Sequence, residues 1–226
     1  MFVHVETRRR SSVRWATGLI VLLCLVGYVG LELLTPARRA GLLVDWGVVP
    51  AQWFDGQASA WHTDASWLRL CTATFLHVSW AHLLSNILFL AIFGWPAERA
   101  LGSLRFLALF IIGGAVANLA GASTLAGSHS PIVGCSGAVS AVLGVYITLF
   151  PRANLGLVLP LGLYFEFVRA PAFLLIGIWI LLQLLFSYSG AGHGAVVWWA
   201  HIAGFLFGIV FALLSRTVVR KRMHSL

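Results

Sequence analysis

Apolar residues in this chain come in long blocks rather than in strict alternation or a one-faced helical stripe. Six runs stand out, at about 15–34, 80–95, 104–125, 134–150, 171–187 and 197–215. A helix that spans a bilayer needs about 20 largely apolar residues at 1.5 Å rise each, and these runs meet or approach that length. The pattern predicts six membrane helices, with Pro96 standing where the second is expected to end. The first run follows Arg8, Arg9, Arg10 and Arg14 in the manner of a signal peptide. It is longer than the usual apolar region of about 7–15 residues, and no clear small-residue cleavage site follows, so a retained helix is expected.

The linkers add to this picture. The longest, 35–79, carries Trp46, Trp53, Trp61 and Trp67, and indoles favour the headgroup zone, so this segment is expected on or in one leaflet. The stretch 151–170 is rich in Gly, Pro and Leu, too apolar for a free linker and expected to pack on the membrane face. No internal repeat, low-complexity tract or soluble domain is evident. The expected division is a short tail at 1–14, a membrane domain at 15–215 and a basic tail at 216–226.

Composition agrees with a membrane chain and removes alternatives. The chain is 60% hydrophobic and only 10% charged, against roughly 25% charged in soluble domains. Fifteen basic and seven acidic residues give +8, but the basic charge lies at the ends of apolar runs rather than among polar or aromatic readers, so no nucleic-acid partner is expected. Cys24, Cys71 and Cys135 are an odd number without paired spacing, which encodes neither a disulfide framework nor a zinc site. With the N-terminus placed in the cytoplasm, 12 of the 15 basic residues fall inside and only Arg38, Arg39 and Arg69 outside. Basic loops resist translocation, so both termini are expected to be cytoplasmic. A single re-entrant unit in place of the last two helices fits that split less well.

Polar residues are costly at depth in a bilayer, and each one in these runs raises a functional question. The second run carries His82 and Asn86 on one helical face, with His77 just ahead. The fourth opens with Gly134-Cys135-Ser136-Gly137, and the sixth carries His201 within Ala200-His201-Ile202-Ala203-Gly204. Ser136 lies 16 residues before Arg152 and His201 lies 15 before Arg216, which puts both roughly 22–24 Å above the inner boundary. His82, 17 residues before Arg99, reaches roughly 25 Å by the same rise. Gly204-x3-Gly208 on the sixth run, and Gly137-x3-Ala141 with Ser140-x3-Gly144 on the fourth, are small-residue stripes that allow close helix approach.

Matched depth and close approach would bring Ser136 to His201. A serine within hydrogen-bond reach of an imidazole is a nucleophile with its general base, the arrangement of acyl transfer. No acidic residue is expected at that depth, so the pair reads as a dyad. His82, Asn86 and the backbone N–H of Ser136 at a helix start are then candidate oxyanion donors, with Gly134 and His77 shaping the same loop.

These residues resemble the rhomboid family of intramembrane serine proteases, in its bacterial six-helix form. The likeness rests on His77-x4-His82-x3-Asn86, Gly134-Cys135-Ser136-Gly137 and Ala200-His201-x2-Gly204-x3-Gly208, in that order, and extends to Arg69 and Glu98-Arg99. It implies an all-α, polytopic six-helix bundle in the plasma membrane that cleaves single-span membrane proteins. It implies Ser136 as nucleophile, His201 as base, His82 and Asn86 at the oxyanion, and no metal or organic cofactor; it leaves oligomeric state open. The chain departs from the pattern twice. Ser140 stands where many relatives carry an aromatic residue stacked on the histidine, and Leu68-Arg69 replaces a Trp-Arg pair.

Blander readings exist for each residue. Membrane serines commonly bond to their own helix backbone, and buried His and Asn commonly clamp neighbouring helices. An inactive relative that only binds membrane helices would share the fold but usually lacks the serine or histidine. A transporter would need polar residues along a through-path, whereas here they cluster in one half of the bilayer.

Overall fold

The structure is a computed structural model that describes residues 14–54, 64–161, 164–188 and 198–223. Arg8, Arg9 and Arg10 of the N-terminal tail, Trp61, His62 and His193 lie outside the described residues. In order, the elements are α1 (Ala16–Glu32), α2 (Pro36–Trp46), α3 (Pro50–Phe54), α4 (Asp64–Thr72), a 3₁₀ turn (Ala73–Phe75) and α5 (Trp80–Phe89). A π-helical turn (Leu90–Gly94) then leads into α6 (Trp95–Leu101), followed by α7 (Ser103–Thr124), α8 (Ser136–Leu149), β1 (Asn154–Leu161), β2 (Tyr164–Pro171), α9 (Ala172–Tyr188) and α10 (Trp198–Met223).

The six apolar runs correspond to α1, the continuous α5–α6 helix, α7, α8, α9 and α10. Three helical stretches, Trp80–Leu101, Ser103–Thr124 and Trp198–Arg220, are long and apolar enough to cross a membrane by themselves. The outside of the bundle is apolar: Leu22, Val26, Leu104, Leu206 and Leu214 are exposed. The inside holds the polar groups, with His77, Asn86, Glu98, Asn118 and His201 all buried. A polytopic helical bundle with this distribution is one whose surface faces hydrocarbon rather than water.

Two local features depart from the sequence expectation. Pro96 does not end the second helix: it falls in the first turn of α6, directly after the π turn. Proline cannot supply the N–H for an i→i−4 bond, and a turn of π-helix before it shifts the ladder so that the helix continues to Leu101. The stretch read as a packed linker contains an antiparallel two-stranded ribbon, β1 with β2, from the pair Asn154–Pro171 to the pair Leu161–Tyr164. Its composition, rich in Leu, Val and aromatic residues, suits a strand as well as a membrane-facing loop.

Glu98 fixes one end of the bundle. Its carboxylate accepts hydrogen bonds from the Ala16 and Thr17 backbone N–H groups (both 2.9 Å), the Thr17 hydroxyl (2.7 Å) and the Ser103 hydroxyl (2.6 Å). It thereby caps the unpaired N–H groups at the start of α1 with negative charge and ties α1 to the first residue of α7 through the Ser103 hydroxyl. Arg99 lies at the same end, and its carbonyl accepts a bond from Arg222 Nε at 3.2 Å.

At the centre stands α8, buried without a break from Gly137 to Tyr146 between α7 and α10. Its composition is small and β-branched, which lets neighbours come close. A Cβ added to Gly204 would strike the Gly137 carbonyl oxygen, one on Gly208 the Ala141 carbonyl, and one on Gly144 the Phe205 carbonyl. The α8 and α10 backbones therefore touch along the small-residue stripes. With 14 residues, α8 is about 21 Å long, shorter than a hydrocarbon core of about 30 Å.

Candidate active site

Because α8 is short and starts late, the chain must descend to reach it. The descending segment is stitched to the rest of that end of the molecule: Val48 and Ile132 exchange backbone bonds at 3.1 and 2.8 Å, Ala51 N–H donates to the Ser128 carbonyl at 2.9 Å, and Gly134 N–H donates to the Ala73 carbonyl at 2.9 Å. Gly134 has φ of +118°, and a Cβ there would fall 2.5 Å from the His82 ring. Only glycine meets both conditions. The result is a fixed loop that delivers Cys135 as the cap of α8 and Ser136 as its first residue.

Ser136 Oγ lies 2.8 Å from His201 Nε2. Ser136 is half-buried, while His201 is 9% exposed. The pair is held from α8 and α10, whose glycine contact begins at Gly137, the next residue of α8, and at Gly204, three residues beyond His201 on α10. His201 Nδ1 is buried and has no hydrogen-bond partner among the described residues, so no carboxylate among them orients the ring.

The other residues singled out in the sequence lie around this loop in distinct arrangements. The His77 and His82 rings are 5.2 Å apart. Cys135 N–H points to His77 Nε2 at 3.5 Å, and Cys135 Sγ is 3.4 Å from the same nitrogen. Burial, reinforced by neighbouring His82, pushes His77 down to about 3, so it is neutral and its Nε2 can accept. His82 lies against Gly134 and its N–H is capped by Ser79 Oγ at 3.3 Å. Asn86 is fully buried; its Nδ2 donates to the His82 carbonyl at 2.9 Å, and its Oδ1 has no partner among the described residues. An amide nitrogen carries two hydrogens, so one remains for another acceptor. Among the described residues no group of three His, Cys, Asp or Glu side chains is placed to hold a metal.

The structure adds contacts that the sequence does not announce. Trp179 of α9 lies in T-shaped contact with the His201 ring, centroids 5.4 Å apart, and Trp198 approaches it at 6.1 Å. Ser140, without a ring, donates its hydroxyl to the Ser136 carbonyl at 2.9 Å. Trp179 belongs to the buried stripe Ala172, Leu175, Ile176, Trp179, a helical periodicity visible in the sequence but giving no sign of which neighbour it would meet. Asn118 ties α7 to α4 through the Leu70 carbonyl at 2.8 Å, a contact across 48 positions that no local pattern encodes.

Comparison with known proteins shows the family. The Rhomboid domain family model matches residues 64–217. Rhomboid-like protease 5 of Toxoplasma gondii is 31% identical over 147 residues, covering 65% of this chain and 16% of that protein. Presenilin-associated rhomboid-like protein A, mitochondrial, of Danio rerio is 30% identical over 167 residues, 70% of this chain and 40% of the relative. Rhomboid-like protein 11, chloroplastic, of Arabidopsis thaliana is 34% identical over 87 residues, 38% of this chain and 31% of the relative. The matched part of the chain thus spans well under half the length of each of these relatives. With the domain match extending over more than half of its length, the chain belongs to the rhomboid family.

Proposed function

We propose that this protein is an intramembrane serine endopeptidase that cleaves single-span membrane proteins within or beside the bilayer through a Ser136–His201 dyad. The observation that carries the reading is the 2.8 Å approach of Ser136 Oγ to His201 Nε2 from two separate helices. In the proposed reaction His201 Nε2 takes the hydroxyl proton as Ser136 Oγ attacks the scissile carbonyl carbon. The C–N bond then breaks, the proton passes to the leaving amine, and water hydrolyses the acyl ester with the imidazole again acting as base. Oxyanion charge falls at the start of α8, where first-turn N–H groups lack helical partners, with His82 and the remaining Asn86 amide hydrogen as side-chain donors. The loop held by Gly134 and His77 fixes where those donors stand.

The same reading places residues 15–215 in the membrane, with the tails 1–14 and 216–226 in the cytoplasm of a cell whose plasma membrane holds the protein. Support comes from Arg99, Arg105, Arg152, Arg216, Arg220 and Arg222, which lie at the ends of the helices opposite to Ser136, as retained basic residues do. Purified protein in detergent is expected to be labelled at Ser136 by a fluorophosphonate and to cut a model single-span substrate. Ser136→Ala and His201→Ala are expected to abolish cleavage while the protein stays folded. Cleavage retained in both folded variants would refute the dyad.

A further inference from the structure

We propose that the end of the bundle remote from Ser136 carries a binding site for an anionic phospholipid, formed by Arg105, Arg152 and Arg216 at the far ends of α7, α8 and α10. These three helices pack against one another, and one contact fixes their register: a Cβ added to Gly113 of α7 would meet both Ala141 of α8 and Phe207 of α10. Arg105 lies eight residues before Gly113, Arg216 nine after Phe207 and Arg152 eleven after Ala141. Since α7 runs antiparallel to α8, with Gly113 against Ala141 and Ala117 against Gly137, all three arginines fall roughly 12–16 Å to the same side of that contact. Axes of packed helices are about 8–10 Å apart, so the three charges share one patch.

Nothing in the protein neutralises that patch. All three arginines are exposed, and none has an ion-pair partner among the described residues, whose ion pair, Arg39 with Glu32, lies at the other end. The Glu98 carboxylate is buried and taken up by Ala16, Thr17 and Ser103, and Glu166 stands opposite Leu159, toward the turn of the ribbon. Arg99, also exposed, and Arg222, whose Nε donates to the Arg99 carbonyl, extend the positive surface. Like charges gathered in this way repel one another, and an anion relieves the repulsion. The surroundings decide which anion. Leu104, next to Arg105, is 75% exposed, and Leu214, two residues before Arg216, is 81% exposed. Guanidinium groups bordered by bare leucine lie where hydrocarbon gives way to headgroups, so the ligand that fits offers a phosphate and acyl chains together. A free phosphate or a soluble polyanion would meet only the arginines. A phospholipid seated here links α8, the helix of Ser136, to α10, the helix of His201.

The test uses the full chain in detergent micelles doped with phosphatidylglycerol or phosphatidylcholine, read by lipid retention in native mass spectrometry and by thermal unfolding. Each basic residue near an anionic lipid surface contributes about a fivefold gain in affinity, so three give a preference for phosphatidylglycerol on the order of 100-fold. A ligand of the folded state raises its stability with concentration. The unfolding temperature is therefore expected to climb with added phosphatidylglycerol and not with phosphatidylcholine, and the climb to shrink at about 1 M salt, where the screening length falls to about 3 Å. The combined Arg105→Gln, Arg152→Gln and Arg216→Gln variant is expected to lose the preference and to unfold with wild-type protein in phosphatidylcholine. Arg38→Gln, which removes an exposed arginine at the other end, is expected to keep it. Should the triple variant not fold, Arg152→Gln and Arg216→Gln singly are each expected to lower the preference about fivefold. A preference unchanged in these variants, one lost equally in Arg38→Gln, or equal stabilisation by inorganic phosphate would overturn the site. Neither readout involves Ser136 or His201, so the dyad stands or falls separately.

Discussion

Replacing Glu98 is expected to weaken the bundle as much as truncating a large side chain of its apolar core. The carboxylate receives four hydrogen bonds, two on each oxygen, and is fully buried. With two backbone N–H groups aimed at it, one on each oxygen, it functions as an acceptor throughout, the behaviour of an ionised carboxylate. Bonds to a charged group contribute about 1.5–3 kcal/mol each, but they are not additive, because the freed N–H groups of α1 can find water near the interface. Deleting one side of a buried charged network typically costs about 3–5 kcal/mol, and that is the range expected for Glu98→Ala. Glu98→Gln separates the terms. The Thr17 and Ser103 hydroxyls can rotate to accept from the new NH₂, but whichever way the amide is turned it faces one backbone N–H, of Ala16 or of Thr17. One orphaned amide corresponds to about 1–3 kcal/mol. Equilibrium unfolding by SDS from mild detergent, read by circular dichroism, measures both variants. A Glu98→Ala protein within about 0.5 kcal/mol of wild type, the range of ordinary surface changes, or a Gln variant weaker than the Ala variant, would refute the account.

Three further outcomes follow from the site. Gly204→Ala places a methyl against the Gly137 carbonyl, where backbone cannot yield, and is expected to abolish fluorophosphonate labelling, whereas Gly177→Ala, with open space around it, leaves labelling intact; equal labelling of the two would count against the glycine contact. Asn86→Ala is expected to lower turnover by up to about 10²–10³ if its free amide hydrogen serves the oxyanion; a loss of stability with unchanged turnover per folded molecule would confine Asn86 to bracing the His82 carbonyl. His77 is held at about 3, below its ordinary 6.5. The unfolded chain therefore takes up the proton first, and the contribution of neutral His77 is present above about 6.5 and lost as pH falls toward about 3. Unfolding followed across that window should show a shallower acid decline in His77→Asn, and superimposable curves would exclude His77 as a source.

Much of this arrangement could be read from the chain because the bilayer restricts what a chain can do. Long apolar runs have few outcomes other than helices, and a polar group among them stands out, which is why Ser136, His201, His82 and Asn86 were identifiable by type and depth. Small-residue spacing carried the approach of α8 to α10 for the same reason. What stayed hidden depends on contacts between distant segments or on choices of nearly equal energy. Glu98 stands in the sequence only as one half of an acidic–basic pair after an apolar run, and the meeting of α1 with the start of α7 makes it a buried cap. Pro96 looked like a terminator, yet a widened turn before it carries the helix on. Trp179 stands in an aliphatic run, and nothing in α9 says which face meets His201. The 154–171 ribbon was illegible because leucine-rich sequence with glycine and proline suits a packed loop and a strand about equally.

The helix that bears Ser136 touches almost nothing but protein along its buried length, while α1, α9 and α10 present leucine, isoleucine and phenylalanine outward. Changes in lipid thickness act on those outer surfaces and reach α8 only through its neighbours. The proposed nucleophile thus keeps a constant height on the protein, not on the membrane, and the bundle carries its own ruler: which peptide bond of a partner lies level with Ser136 is set by how the two proteins ride against each other in a given bilayer.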